Sequence, residues 1–246
     1  MVTGSENLIG EFMGTMVLIV FGCGVCANLT LEKSKGQASG WVNIAIGWGF
    51  AVTLGVFTAT TCGAPQGDLN PAVTLGKTML GIYTFGQFIA TSIAQLAGAI
   101  VGAAIVWLTY LAHWSETKDP GAKLGIFATA PAIRNMGCAF LTEVIATFFL
   151  MFVIWMIFSK QVGAIPPGFG PYIVGVLIWA LGLSLGGPTG YAMNPARDLG
   201  PRIAHAILPI AGKGGSDWGY AWVPVAAPLC GAVLAYIVAS ALGVFV

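Results

Sequence analysis

The chain has 246 residues, 57% of them hydrophobic and only 8% charged, with a formal net charge of +1. Together with a mean hydropathy of +0.86, this excludes an ordinary soluble domain and describes a chain whose main solvent is lipid. The Lys and Arg residues are scattered rather than clustered, so there is no polyanion-binding surface and nucleic acid is excluded as a partner.

In chain order, the first apolar run lies near residues 8–28. No Lys or Arg precedes it and no clear small-residue cleavage site ends it, so it is expected to stay in the mature protein. Further runs near 41–61, 85–111, 137–158, 170–186 and 220–245 give six candidate spans, each near the length of about 20 apolar residues that crosses about 30 Å of hydrocarbon. Trp41, Trp107, Trp114, Trp218 and Trp222 fall at or near the ends of these runs, where amphipathic rings favour the membrane interface, although core packing explains any one of them equally well. Cys23, Cys26, Cys62, Cys138 and Cys230 lie in or beside apolar runs without a metal-ligand spacing. They read as small apolar residues, and neither a metal nor a cofactor is expected.

Two more apolar stretches open at Asn70-Pro71-Ala72 and Asn194-Pro195-Ala196. Each suits a helix start, because Asn caps free N–H groups and Pro at the first helical position loses nothing. Ten or eleven helical residues from each would cover roughly half the bilayer. The run Glu11-Phe-Met-Gly-Thr15 recurs as Glu143-Val-Ile-Ala-Thr147, each followed by an Asn-Pro-Ala. This divides a single domain, 1–246, into a first repeat at 1–112, a connection at 113–136 and a second repeat at 137–246. Three spans per repeat is an odd number, so the second repeat enters the membrane inverted and the two half-helices meet near the midplane.

Paired Asn-Pro-Ala motifs with paired Glu-x-x-x-Thr resemble the aquaporin superfamily across essentially the whole chain. The segment Gly190-Tyr-Ala-Met-Asn-Pro-Ala-Arg-Asp-Leu-Gly-Pro201 is similar to its glycerol-facilitator branch. The resemblance implies an all-α membrane protein of six transmembrane helices and two half-helices, packed as a right-handed bundle and assembled as a homotetramer in the plasma membrane. It implies a constriction of Trp48, Gly182, Tyr191 and Arg197, and pore-lining carbonyls at Asp68, Gly190, Tyr191 and Ala192. It also implies that Glu11 and Glu143 accept hydrogen bonds from the loops holding the half-helices, with Asp198 in a supporting role. Gln95, Gly98, Pro228 and Gly231 are expected in helix contacts.

Two features depart from the family. The loop Cys62-Gly-Ala-Pro-Gln-Gly-Asp-Leu-Asn70 is about two residues longer than usual, with Asp68 where His is common; Asp68 reads either as a loop cap or as a group facing the path. With the family's cytoplasmic N-terminus, Lys77 and Lys160 fall inside while Lys33, Lys35, Lys118, Lys123, Arg134, Arg202 and Lys213 fall outside, opposing the positive-inside tendency.

A glycerol-selective opening needs hydrogen-bonding groups facing an apolar wall. Arg197 offers donors, the carbonyls around Tyr191 offer acceptors, and Trp48 with the Tyr191 ring offers the wall. The only histidines are His113 and His205, expected in the connection and beyond the second half-helix. Passive conduction of glycerol, water and small neutral solutes, with exclusion of ions and protons, is the expected function. The alternatives are a strict water channel and a proton-coupled carrier, the latter because inverted repeats with broken helices also build transporters. No paired catalytic acids and no nucleophile with a base partner point to an enzyme.

Overall fold

The computed structural model describes residues 4–245. Among them the regular elements are helices: α1 Ser5–Thr30, α2 Trp41–Thr61, α3 Pro71–Met79, α4 Phe85–Thr109, α5 Pro120–Phe127, α6 Met136–Ile157, α7 Phe169–Leu185, α8 Pro195–Ile207 and α9 Val223–Ala241, with one 3-10 turn at Leu111–His113. Helices α1, α2, α4, α6 and α9 are long and apolar enough to cross a membrane. With 17 residues, α7 covers about 25 Å and serves as the sixth span. Large apolar side chains such as Phe21, Phe50, Ile93, Leu141, Phe149 and Ile237 are exposed. In water they would be a liability; against lipid they are the surface the solvent requires.

Lipid supplies no hydrophobic drive between helices, so close packing must hold the bundle. Helix α4 lies so near α1 that a Cβ on Gly98 would stand 2.2 Å from the Phe12 carbonyl oxygen. Helix α9 meets α6 in the same way, with Gly231 placing a would-be Cβ 2.6 Å from the Val144 oxygen.

The half-helices start alike and end differently. Asn70 Oδ1 accepts from Ala72 N at 2.8 Å, and Asn194 Oδ1 from Ala196 N at 3.0 Å and Arg197 N at 3.1 Å. Pro71 and Pro195 occupy the first turns. Instead of the expected ten or eleven residues, α3 has 9 and α8 has 13. Gly81, at φ +75°, turns the chain just past α3. At the far end of α8, Lys213 Nζ donates to the carbonyls of His205, Ala206 and Leu208 at 2.7, 2.7 and 2.6 Å, which satisfies acceptors that a helix end leaves open.

The connection expected at 113–136 is not a plain loop. Asp119 caps α5 by accepting from Gly121 N at 2.8 Å, and Pro120 follows. That Asp-Pro start is the same punctuation that opens the half-helices, and it was readable in the sequence. His205 is also placed differently from expectation: it lies in the last turn of α8, fully buried, with Nδ1 2.9 Å from Ser216 Oγ.

Candidate permeation pathway

The N-termini of α3 and α8 meet inside the bundle, and their two asparagines are cross-linked. Asn70 Nδ2 donates to the Met193 carbonyl and Asn194 Nδ2 to the Leu69 carbonyl, both at 2.8 Å. Each amide nitrogen carries a second proton. Both asparagines line a continuous cavity of about 570 Å³, so that second N–H remains for a solute oxygen.

The residues before each Asn hold unusual backbone. Leu69 has φ 54° and Met193 φ 50°, a left-handed conformation that costs a non-glycine residue about 1–2 kcal/mol. Buried carboxylates hold both in place. Glu11 accepts from Asp68 N at 2.7 Å, Leu69 N at 2.8 Å and Gln95 Nε2 at 2.8 Å. Glu143 accepts from Thr189 Oγ1 at 2.6 Å, Ala192 N at 2.9 Å and Met193 N at 2.8 Å. The Thr of each Glu-x-x-x-Thr motif bonds back to the carbonyl of its own Glu, at 2.7 Å for Thr15 and 2.8 Å for Thr147.

With their N–H groups turned toward the glutamates, the loop carbonyls become available. Gly67, Asp68, Tyr191 and Ala192 line the cavity, and among the described residues no hydrogen bond within the protein takes their carbonyl oxygens. Gly190, expected as a further pore carbonyl, is not part of the cavity wall. At φ 84° it makes the turn that brings Tyr191 in, and its own Cα faces Thr129.

At one end of the cavity stand Trp48, Tyr191 and Arg197. The Arg197 guanidinium lies 4.0 Å from the Trp48 ring centroid, a desolvated cation–π contact. Its Nη1 donates to the Phe127 carbonyl at 3.2 Å, so α5 positions this arginine. Gly182 is set apart from the other three. It does not reach the cavity wall; a Cβ there would stand 2.8 Å from Cζ of Tyr191 and 3.1 Å from Ala45 Cβ. Its carbonyl accepts from Trp41 Nε1 at 2.9 Å, and the Trp41 ring meets Tyr191 edge-on at 5.8 Å. Gly182 therefore makes room for the Tyr191 ring.

Asp198 does not neutralise Arg197. It pairs with Arg202, whose Nε and Nη2 lie 2.9 and 2.8 Å from Oδ1, while Oδ2 accepts from Thr129 N and Oγ1 at 2.7 Å each. Arg202 also donates to the carbonyls of Ser216, Asp217 and Thr129. This buried network ties the α5 connection to α8. The surplus of cations on this face has the same explanation: Lys123 bonds the Ala211 carbonyl, Lys33 pairs with Glu116 at 2.6 Å, and Arg134 binds Asp217 through two bonds of 2.6 and 2.7 Å. The Arg134 hydrogen bond holds the Asp217 carboxyl below its ordinary range.

Asp68 adopts neither of the two roles weighed from sequence. Its side chain is fully buried and pairs with Lys77 Nζ at 2.5 Å. Lys77 itself lines the cavity and also bonds the Gln66 carbonyl at 3.0 Å. Sequence reasoning treated Lys77 only as a marker of sidedness, although a Lys seven residues after Asn70 places it on the last turn of a nine-residue half-helix.

Six spans, two half-helices meeting head to head and one cavity along their contact define a multi-pass membrane channel of the aquaporin fold. The chain belongs to the Major intrinsic protein family, whose model matches residues 2–239. It is 55% identical to glycerol uptake facilitator protein 3 of Lactiplantibacillus plantarum, over 93% of each chain. It is 50% identical to the glycerol uptake facilitator protein of Bacillus subtilis, over 90% of this chain and 79% of that one, and 42% identical to the D/L-lactic acid transporter of L. plantarum, over 94% of each. Its structure resembles the aquaglyceroporin from Plasmodium falciparum with a TM-score of 0.83 at 31% identity, over 95% of this chain and 94% of that one.

Proposed function

We propose that the protein is a passive facilitator for glycerol and other small neutral solutes, conducts water as well, and excludes ions. The observation that carries this reading is the amphipathic constriction. Arg197, held 4.0 Å over the Trp48 ring, supplies fixed donors, and Trp48 and Tyr191 add apolar lining beside it, with open carbonyls below. A polyol has hydroxyls along one edge and hydrocarbon along the other, so this surface can replace its hydration on both sides. The names of the bacterial relatives support the same solute. The relative named for lactic acid makes the undissociated form of a small hydroxy acid a second solute to test.

Ion exclusion rests on the two helix N-termini, each carrying about half a positive charge. A cation about 4 Å from both, at an effective dielectric near 20, is opposed by about 4 kcal/mol before any desolvation cost. Among the described residues, Glu11, Glu143 and Asp198 accept structural hydrogen bonds and Asp68 pairs with Lys77, which favours structural roles for these carboxylates over proton coupling. Repeats at 1–112 and 137–246, a homotetrameric assembly and a plasma-membrane location with a cytoplasmic N-terminus belong to the same reading. Light-scattering measurements of water and glycerol entry into proteoliposomes test it. Both rates should exceed those of empty vesicles severalfold; water entry without glycerol entry would overturn the glycerol assignment.

A further inference from the structure

The end of the cavity opposite Arg197 contains a second cation that the constriction does not use. Lys77 has three N–H donors. One goes to Asp68 Oδ1 and one to the Gln66 carbonyl. The side chain is 16% exposed and lines the cavity, so the third donor is open to the lumen. Asp68 cannot swing away, since its side chain is fully buried. The ammonium is therefore held in place rather than free to sweep the mouth. Ile154, Trp155 and Phe158 of the α6 end line the same cavity, with Trp155 packed against Gly76 of α3 beside Lys77. A fixed cationic donor beside open loop carbonyls and apolar aromatic lining repeats the chemistry of Arg197, Tyr191 and Trp48.

We propose that Lys77, positioned by Asp68, is a second solute-binding station that donates a hydrogen bond to a hydroxyl oxygen of a polyol at this mouth. This rests on the reading of the protein as a polyol facilitator. Asp68 cancels the charge, so the station holds neutral solutes without becoming an anion trap. A polyol passing the α6 wall must keep its hydroxyls bonded, whereas water needs less support. Loss of the Lys77 donor therefore slows glycerol more than water.

The test compares two neutral double variants in proteoliposomes, Lys77→Met with Asp68→Asn and Lys77→Gln with Asp68→Asn. Neither leaves an unpaired buried charge, and they differ chiefly in a donor at position 77. The glycerol-to-water permeability ratio should fall about threefold or more in the Met variant and recover at least half of the loss in the Gln variant. Equal ratios in the two variants, or a parental ratio in the Met variant, would overturn the station. A third variant, Lys77→Arg, keeps the ion pair and the fold, and its longer fork should lower the ratio by narrowing the mouth. If the double variants do not fold, Lys77→Met alone is measured, and a parental ratio there overturns the proposal. A parent that conducts water but no glycerol removes the facilitator reading and the station with it, whereas a conducting parent with unresponsive variants removes the station alone.

Discussion

At the residue scale, Tyr191 carries the strongest steric consequence. Its ring is wedged between Gly182, Trp41 and the lumen. Gly182→His places heavy atoms where Tyr191 Cζ already stands, and the ring has the cavity to move into. Glycerol permeability should fall more than water permeability in light-scattering assays of the folded variant; equal losses, or none, would mean the ring is not displaced into the path. Among the described residues, Arg197 has cation–π and backbone contacts but no carboxylate partner. Arg197→Leu removes the positive site and leaves the Phe127 carbonyl open, so the variant should leak small cations that the parent excludes, read as dissipation of a sodium or proton gradient. The identities of Trp48, Tyr191 and Arg197 were legible from the motifs. The position of Gly182 behind Tyr191 was not, because sequence alignment gives a residue's height along a helix but not what stands between it and the lumen.

At the element scale, two carboxylates hold two loops. Glu11 and Glu143 each accept three hydrogen bonds and are fully buried. Glu143→Gln turns an amide toward groups that donate, which should cost about 2–3 kcal/mol or more. Thermal unfolding in detergent should begin at clearly lower temperature, with Glu11→Gln behaving alike. Helix α5 depends on a lighter device, the Asp119 cap. Asp119→Ala should cost about 1 kcal/mol locally and, through Phe127, loosen Arg197, which amide exchange over 120–127 would register as faster opening. The six spans and two half-helices were readable from hydropathy and Asn-Pro starts. Helix α5 was missed because a short helix outside the membrane has no length or hydropathy signal; only Asp119-Pro120 announced it. The roles of Lys123, Arg202 and Lys213 were hidden for a related reason. Lys123 and Arg202 bind carbonyls distant in sequence that only the fold brings within reach, and Lys213 reaches back to the end of α8 only because the chain turns there.

At the scale of the whole molecule, acid should act first on the face that carries α5. Asp217 is held below its ordinary range by the Arg134 hydrogen bond, and Glu116 likewise by Lys33. A group with a depressed folded pKa contributes stability that is present above its unfolded value and lost as pH falls through the folded one. Loop order on this face should therefore hold at neutral pH and decline below about pH 4, and Asp217→Asn should remove part of that acid response; an acid response identical in parent and variant would assign it to other groups. The bundle itself depends on close helix approach rather than on these surface pairs. Its glycines at 98 and 231 leave no space for a side chain, and Gly98→Val should prevent correct assembly.

The central claim is that one narrow, amphipathic path carries neutral solutes without carrying charge. It is tested most directly by recording glycerol entry and proton leak together in the same proteoliposomes, with an internal pH dye and an imposed proton gradient. Glycerol entry should be fast, proportional to its own gradient and indifferent to the proton gradient, while the dye reports no leak above that of empty vesicles. Glycerol entry that follows the proton gradient, or a proton leak that rises with the amount of protein, would contradict the account.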